Sequence, residues 1–281
     1  MTGISKDEVQ RIWESAAKGY AAWDEALGLE LAPATQMMFD MAGATAGMRV
    51  LDVACGSGQQ SLLLAERLGE AGQVLATDIS ETMLGFARER AQKTGMTNIE
   101  TLRCAAEDLS CGENAFDAAT CRLGLMLFPA PDEALSAIYA ALKPGARFAG
   151  LVFAAPEANP FMAETLGILL RHAGKELPQS GEPGIFALSA PGAFEELLRA
   201  AGFADIEARG AAATLRLASA EQAIELMQQA FGVYRAAVAD LGERERAAAW
   251  EEVAACLGQW NDASGFAAKR EFTIAAGIKR P

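Results

Sequence analysis

The stretch VLDVACGSGQQSLLLAERL, residues 50–68, begins as an apolar strand, breaks at a turn of small residues and resumes with leucines at helical spacing. A strand that feeds a helix in this way rejoins its sheet through a crossover, and the next strand then lies parallel to the first. The alternation recurs. Short apolar runs at 49–54, 73–78, 99–104, 116–121 and 146–154 are bounded by Gly, Pro or polar residues, as buried parallel strands are. Between them, 61–69, 81–94 and 131–142 place apolar side chains three and four residues apart, with Ser80 as an N-cap before Glu81. This pattern predicts an α/β fold built on a doubly wound, Rossmann-like sheet.

After about residue 153 the composition shifts. Pro and Gly breaks between Pro156 and Gly184 surround one helical stretch, NPFMAETLGILLRHAG, which reads as a lid inserted over the sheet. FEELLRAAGFADIEARG (194–210) returns to helix, glycine stop and strand. Two Ala- and Glu-rich helices follow within 219–259, and KREFTIAAGIK (269–279) reads as a closing strand. The expected organisation is an N-terminal helical cap at 1–44, a core at 45–154, a lid insertion at 155–189, and the end of the core sheet at 190–281 carrying the helical insertion 219–259.

Several function classes fall away. No window approaches the roughly 18 uninterrupted apolar residues of a membrane-spanning helix, and the opening MTGISKDEVQRIWESAAKGY has neither an apolar signal core nor a basic leader. The expectation is a cytoplasmic protein with no membrane partner, as monomer or homodimer. Its five cysteines form no CxxC pair and read as reduced thiols. A formal net charge of −13 disfavours nucleic acid, whose nonspecific binding relies on Lys and Arg displacing counterions. With one histidine and no ligand-like spacing, no metal centre is expected.

Ligands of doubly wound sheets bind beyond the carboxyl ends of the strands, where strand order reverses. The turn Asp52-Val53-Ala54-Cys55-Gly56-Ser57-Gly58 sits at such an end. Gly56 and Gly58 allow a ligand near the main chain, and helix-starting amides supply donors. The dinucleotide fingerprint asks for glycine at position 61, where this chain has Ser61, so a nicotinamide-dependent oxidoreductase becomes the alternative. Asp78 ends the second strand and can accept hydrogen bonds from both ribose hydroxyls. No P-loop lysine follows the glycines, and Asp52 suits a cationic group better than a triphosphate. Together these features describe a nucleoside with an amino acid or sulfonium portion.

At this point the chain resembles the class I S-adenosylmethionine-dependent methyltransferases, in particular the small-molecule branch containing the ubiquinone and menaquinone biosynthesis enzymes. VLDVACGSG, VLATDIS, CAAEDL, FDAATCRLGLMLFP and LKPGARF resemble the family's five motifs in order, over about 48–150, and LLRAAGF resembles its late helix. The resemblance implies a seven-stranded sheet with the last strand antiparallel, and S-adenosyl-L-methionine as cofactor. It implies that Ala54, Gly56 and Gly58 line the methionine side, with Asp52 near the ammonium group and Tyr20 closing over it. Asp78 would hold the ribose, Ile79 and Met83 the adenine, Ala106 and Glu107 its other edge, and Cys121 the channel beside the sulfonium. The family often has Gly where this chain has Ala54, and Asp where it has Ala105.

Methyl transfer from a sulfonium is an in-line displacement that depends first on alignment and exclusion of water. A base can add to it when the acceptor must lose a proton. His172, the one histidine, falls in the expected lid and is the candidate base. Trp23, Arg122 and Met126 are candidate pocket residues, Arg122 for an anionic substrate group. The expected function is therefore methylation of a small, partly apolar molecule at O, N or C; a cofactor-binding protein without catalysis is a further alternative.

Overall fold

Strand and helix alternate nearly as expected in the computed structural model, which describes residues 4–280; residues 1–3, counted with the expected cap, lie outside the described residues. Two helices, α1 (Lys6–Ala22) and α2 (Asp24–Met41), precede the sheet. The alternating half then runs β1 (Arg49–Val53), α3 (Gln59–Leu68), β2 (Gln73–Asp78), α4 (Glu81–Thr94), β3 (Ile99–Arg103), β4 (Phe116–Arg122), α5 (Pro131–Ala141) and β5 (Leu142–Phe153). The remainder comprises α6 (Pro160–His172), α7 (Ala193–Ala200), β6 (Ala204–Leu217), α8 (Ala220–Ala230), α9 (Gly232–Ala237), α10 (Glu243–Leu257), β7 (Asn261–Asp262) and β8 (Gly265–Ile278).

The sheet order is β3-β2-β1-β4-β5-β8-β6, with the two-residue β7 folding back on the start of β8. Strands β1 to β5 are parallel, and β8 is antiparallel to both β5 and β6. Strand order therefore reverses at β1, and a crevice opens beyond the carboxyl ends of β1 and β4. Buried apolar runs such as Val50-Leu51 and Leu151-Val152 explain why these strands are covered on both faces. Helices α2, α3 and α4 form one covering row, and α5 and α7 the other. The cap of the helix after β2 is local chemistry: Ser80 Oγ accepts the Met83 amide at 3.1 Å.

Two expectations change. Helix α2, read from sequence as part of a cap, packs on β5, β6 and β8 and buries Leu31, Met38 and Phe39. The stretch 219–259 holds three helices rather than two, because Phe231 adopts an extended conformation (φ −85°, ψ 92°) that ends α8. At the next residue, a Cβ on Gly232 would lie 2.9 Å from Ile12 Cγ2, so the break lets α9 press against α1. Gly19 serves the same end on α1, since a Cβ there would sit 2.0 Å from the Gln229 carbonyl oxygen of α8. Helix α1 is thereby seated on α8 and α9, above the carboxyl ends of the strands.

Candidate functional site

A cavity of about 140 Å³ lies between α1 and the carboxyl ends of β1, β2, β4 and β5. Its floor is made by the residues at which those strands stop: Ala54 and Gly56 after β1, Asp78 at the end of β2, Arg122 at the end of β4 and Phe153 at the end of β5. The main chain is forced there. Ala54 (φ 54°) and Leu123 (φ 62°) are non-glycine residues in the left-handed region, and a Cβ on Gly124 would lie 2.6 Å from the Ala54 Cβ. The turns after β1 and β4 are thus wedged against each other, and backbone strain of this sort collects at ligand-binding edges.

Asp78 is the carboxylate of this cavity. It is 9% exposed, with Oδ2 accepting the Gly56 amide and Oδ1 the Ser80 amide, each at 2.9 Å. Burial pushes its carboxyl up to about 6, against the downward pull of those amides. Ile79 and Met83 line the cavity beside it. The two glycines of the turn do different work. Gly56 (φ 56°) faces the cavity, with Tyr20 the nearest neighbour of an added Cβ at 3.6 Å. Gly58 (φ 86°) is instead a packing glycine: an added Cβ would meet Ala87 Cβ at 2.6 Å and Ala87 Cα at 2.7 Å.

Tyr20 lines the cavity from α1, with Val9 and Trp13. Burial pushes its phenol up, while Arg122 and Arg270 pull it back, so both guanidinium groups act on that hydroxyl. The helix is latched in place by Glu14, whose carboxylate accepts from the Ser80 and Thr82 hydroxyls, and by Lys6, which donates to Asp108 at 2.7 Å. Arg122 and Met126 also line the cavity. Arg122 donates Nη1 to Thr35 Oγ1 at 2.9 Å.

The remaining candidates sit elsewhere. Asp52 is fully buried and is not part of the cavity lining. Its Oδ1 accepts from Gln60 Nε2 and, at 3.2 Å, from Thr120 Oγ1, and its Oδ2 accepts from Ser61 Oγ at 2.6 Å. It staples β1 to the first turn of α3 and to β4, and burial pushes it to about 6. Ser61, read as a missing glycine, is one of those staples. Cys121 is buried in β4, outside the lining, with its thiol pushed up to about 12 by burial. Ala106 and Glu107 do not reach the cavity either, and Glu107 Oε1 accepts the Ala130 amide at 3.3 Å.

Trp23 turns away, donating Nε1 to Gln229 Oε1 at 2.9 Å beside a separate surface pocket. His172, the candidate base, does not line the cavity. At the end of α6, its Nε2 lies 2.8 Å from Glu252 Oε2 of α10, on a surface pair shared with Arg171 and away from the cavity. Burial and pairing also expose a residue that no local pattern announced. Arg270, 2% exposed, lines the cavity and is held through Nε and Nη2 by the carboxylate of Glu30 on α2.

The sequence profile of the ubiE/COQ5 methyltransferase family matches residues 1–181. A ubiquinone/menaquinone biosynthesis C-methyltransferase of Escherichia coli is 32% identical over 156 residues, covering 55% of this chain and 62% of the relative; its Shigella boydii counterpart matches equally. The chain therefore spans about 62% of the length of these curated relatives. Among solved structures, the YcgJ protein of Bacillus subtilis superposes with a TM-score of 0.59, at 18% identity, over 89% of this chain and 99% of that one. A Haemonchus contortus phosphoethanolamine N-methyltransferase, in complex with phosphomonomethylethanolamine and S-adenosylhomocysteine, gives 0.62 at 18% identity over 99% of this chain and 61% of that one. At such identity the structural likeness speaks to fold.

Proposed function

The chain belongs to the ubiE/COQ5 methyltransferase family, and from that premise we propose that it transfers a methyl group from S-adenosyl-L-methionine to a small, partly apolar organic acceptor at O, N or C. The family match gives no support to the nicotinamide-dependent alternative. One observation carries the assignment of the donor: Asp78, desolvated and in no ion pair among the described residues, lines the cavity beside Gly56, Ile79 and Met83. A carboxylate held by two amides keeps spare lone pairs for neutral hydroxyl donors, which fits the two hydroxyls of a ribose. The apolar pair next to it fits the adenine.

When bound, the cofactor would supply an electrophilic methyl on a sulfonium whose sulfur leaves with the electron pair. The chain's own groups orient and desolvate. Asp78 fixes the nucleoside end through charge-assisted hydrogen bonds. Gly56, bonded to Asp78 through its amide, keeps the floor of the turn open for close approach. Val9, Trp13 and Tyr20 from α1, with Leu27 and Leu31 from α2, exclude water from the space where acceptor and methyl meet.

Among the described residues, no histidine and no carboxylate other than Asp78 lines this cavity. The chain thus contributes alignment and exclusion of water rather than a general base. The test is titration with S-adenosylhomocysteine, S-adenosylmethionine and NAD, followed by transfer of labelled methyl to an acceptor panel. Selective NAD binding would overturn the reading. Donor binding without transfer to any acceptor would favour a binding protein.

A further inference from the structure

The donor reading leaves one side of the cavity unassigned. Asp78 ends β2, whereas β8 is four strands away in the order β2-β1-β4-β5-β8, about 19 Å at the usual spacing between strands. Phe272 of β8 pairs with Phe153, the last residue of β5. Two residues earlier and on the same face, Arg270 lies past the carboxyl edge of the parallel strands and over the Phe153 ring, in the cavity that Met162 and Phe231 also line. Arg122 stands between, at the end of β4.

Both arginines have donor capacity to spare. Arg270 gives Nε and Nη2 to Glu30 and rests against the rings of Phe153 and Phe272, with its guanidinium carbon 5.8 and 5.9 Å from their centroids. Among the described residues its Nη1 donates to nothing, although the side chain is almost wholly buried. Arg122 donates to one neutral hydroxyl, that of Thr35, and forms no ion pair among the described residues. Of the carboxylates that feel its charge, Asp24 pairs with Arg90, and Asp52 is hydrogen-bonded by the neutral groups of Gln60, Ser61 and Thr120. Glu30 offsets Arg270, so Arg122 is the guanidinium of this wall that makes no direct contact with a carboxylate among the described residues. A guanidinium with donors to spare matches the two oxygens of a carboxylate.

We propose that the acceptor is an apolar molecule bearing a carboxylate, which docks on Arg122 and the free Nη1 of Arg270 with its hydrocarbon portion against Phe153, Met162 and Phe231. This rests on the donor reading above, which reserves the Asp78 side of the cavity for the cofactor. The acceptor then lies across β4, β5 and β8, its charged end fixed and its reactive atom turned toward the donor. The anion is held by groups that do not transfer a proton, in keeping with a cavity that offers no separate base.

The experiment uses the full chain saturated with S-adenosylhomocysteine at neutral pH and compares octanoate with octanamide by calorimetric titration. The two differ in charge but little in shape. Octanoate should bind roughly tenfold tighter, the size expected of a charge-assisted pair in an apolar site. Arg122→Gln should cut that preference to about threefold or less while octanamide and S-adenosylhomocysteine bind as before. Removing Arg270 alone would strand Glu30, so the second variant is the pair Glu30→Gln, Arg270→Gln; it should likewise narrow the preference.

Equal binding of the two probes, binding of neither, or an undiminished preference in Arg122→Gln would overturn the proposal while leaving the donor reading intact. If Arg122→Gln weakens S-adenosylhomocysteine and spares the octanoate preference, the guanidinium serves the donor's own carboxylate and the proposal fails. Failure of the wild-type chain to bind S-adenosylhomocysteine would overturn the donor reading, and this assignment with it.

Discussion

Donor affinity should depend on pH through Asp78, and the expected size follows from its burial. A carboxyl pushed up to about 6 is about one-tenth ionised at pH 5 and almost fully ionised at pH 7.5. Ribose hydroxyls need the ionised form as acceptor, so the dissociation constant for S-adenosylhomocysteine should rise about tenfold from pH 7.5 to pH 5. Folding stability should move the opposite way. Asp52 and Asp78 both stand near 6 in the folded chain against a reference of 3.8. Their contribution is fully present below about pH 4 and is lost as pH rises through 6, because the folded chain holds the extra protons in that window. Calorimetric titrations at several pH values, alongside urea denaturation, measure the two trends. Asp78→Asn should bind more weakly by about 1–3 kcal/mol at neutral pH and lose the slope, while Asp52→Asn should keep it. A wild-type affinity that is flat or strengthens toward acid, or a slope that survives in Asp78→Asn, would refute the role given to this carboxylate.

The two glycines of the first turn should separate by phenotype. Gly58→Ala combines a left-handed backbone with a clash on Ala87 and should lose about 2–4 kcal/mol of stability in chemical denaturation; Gly56→Ala should lose about 1–2 kcal/mol but weaken donor binding out of proportion. His172→Ala, which breaks a surface pair with Glu252, should leave the methyl-transfer rate within about twofold, and a collapse of the rate would return this histidine to the chemistry. Glu30→Gln should be severe, about 3–5 kcal/mol by denaturation, because it leaves the Arg270 charge buried without its partner.

What the sequence disclosed is what neighbouring residues decide. The helix at 81–94 was readable to its ends because its cap, Ser80, and its apolar spacing are local. Asp78 could be picked out because the end of a strand before a helix is itself a position with a chemical meaning. Asp52 shows the limit of that reasoning. The same turn suggested a partner for a cation, yet Gln60 and Ser61, in the first turn of the next helix, take up its oxygens. A Gln-Ser pair following an Asp-bearing strand end was the available signal. Gly58 needed knowledge of Ala87 on another helix, and nothing local could have joined Glu30 to Arg270, residues 240 apart.

That division between local and distant has a consequence for specificity. The side of the cavity that we assign to the donor is lined by residues within 54–83 and is fixed by strand ends, a turn and a capped helix. The other side is assembled from α1, α2, α6, α9 and β8, elements brought together only by tertiary packing. The family match ends at residue 181, so Ile185, Phe231, Val233 and Arg270, all in the cavity wall, lie beyond it. A chain can therefore keep the residues of 54–83 while changing the part of the wall that lies beyond the match, in α9 and β8. Swapping that wall should change which acceptor binds without changing the donor, and the arginines on it are the residues through which the change would act.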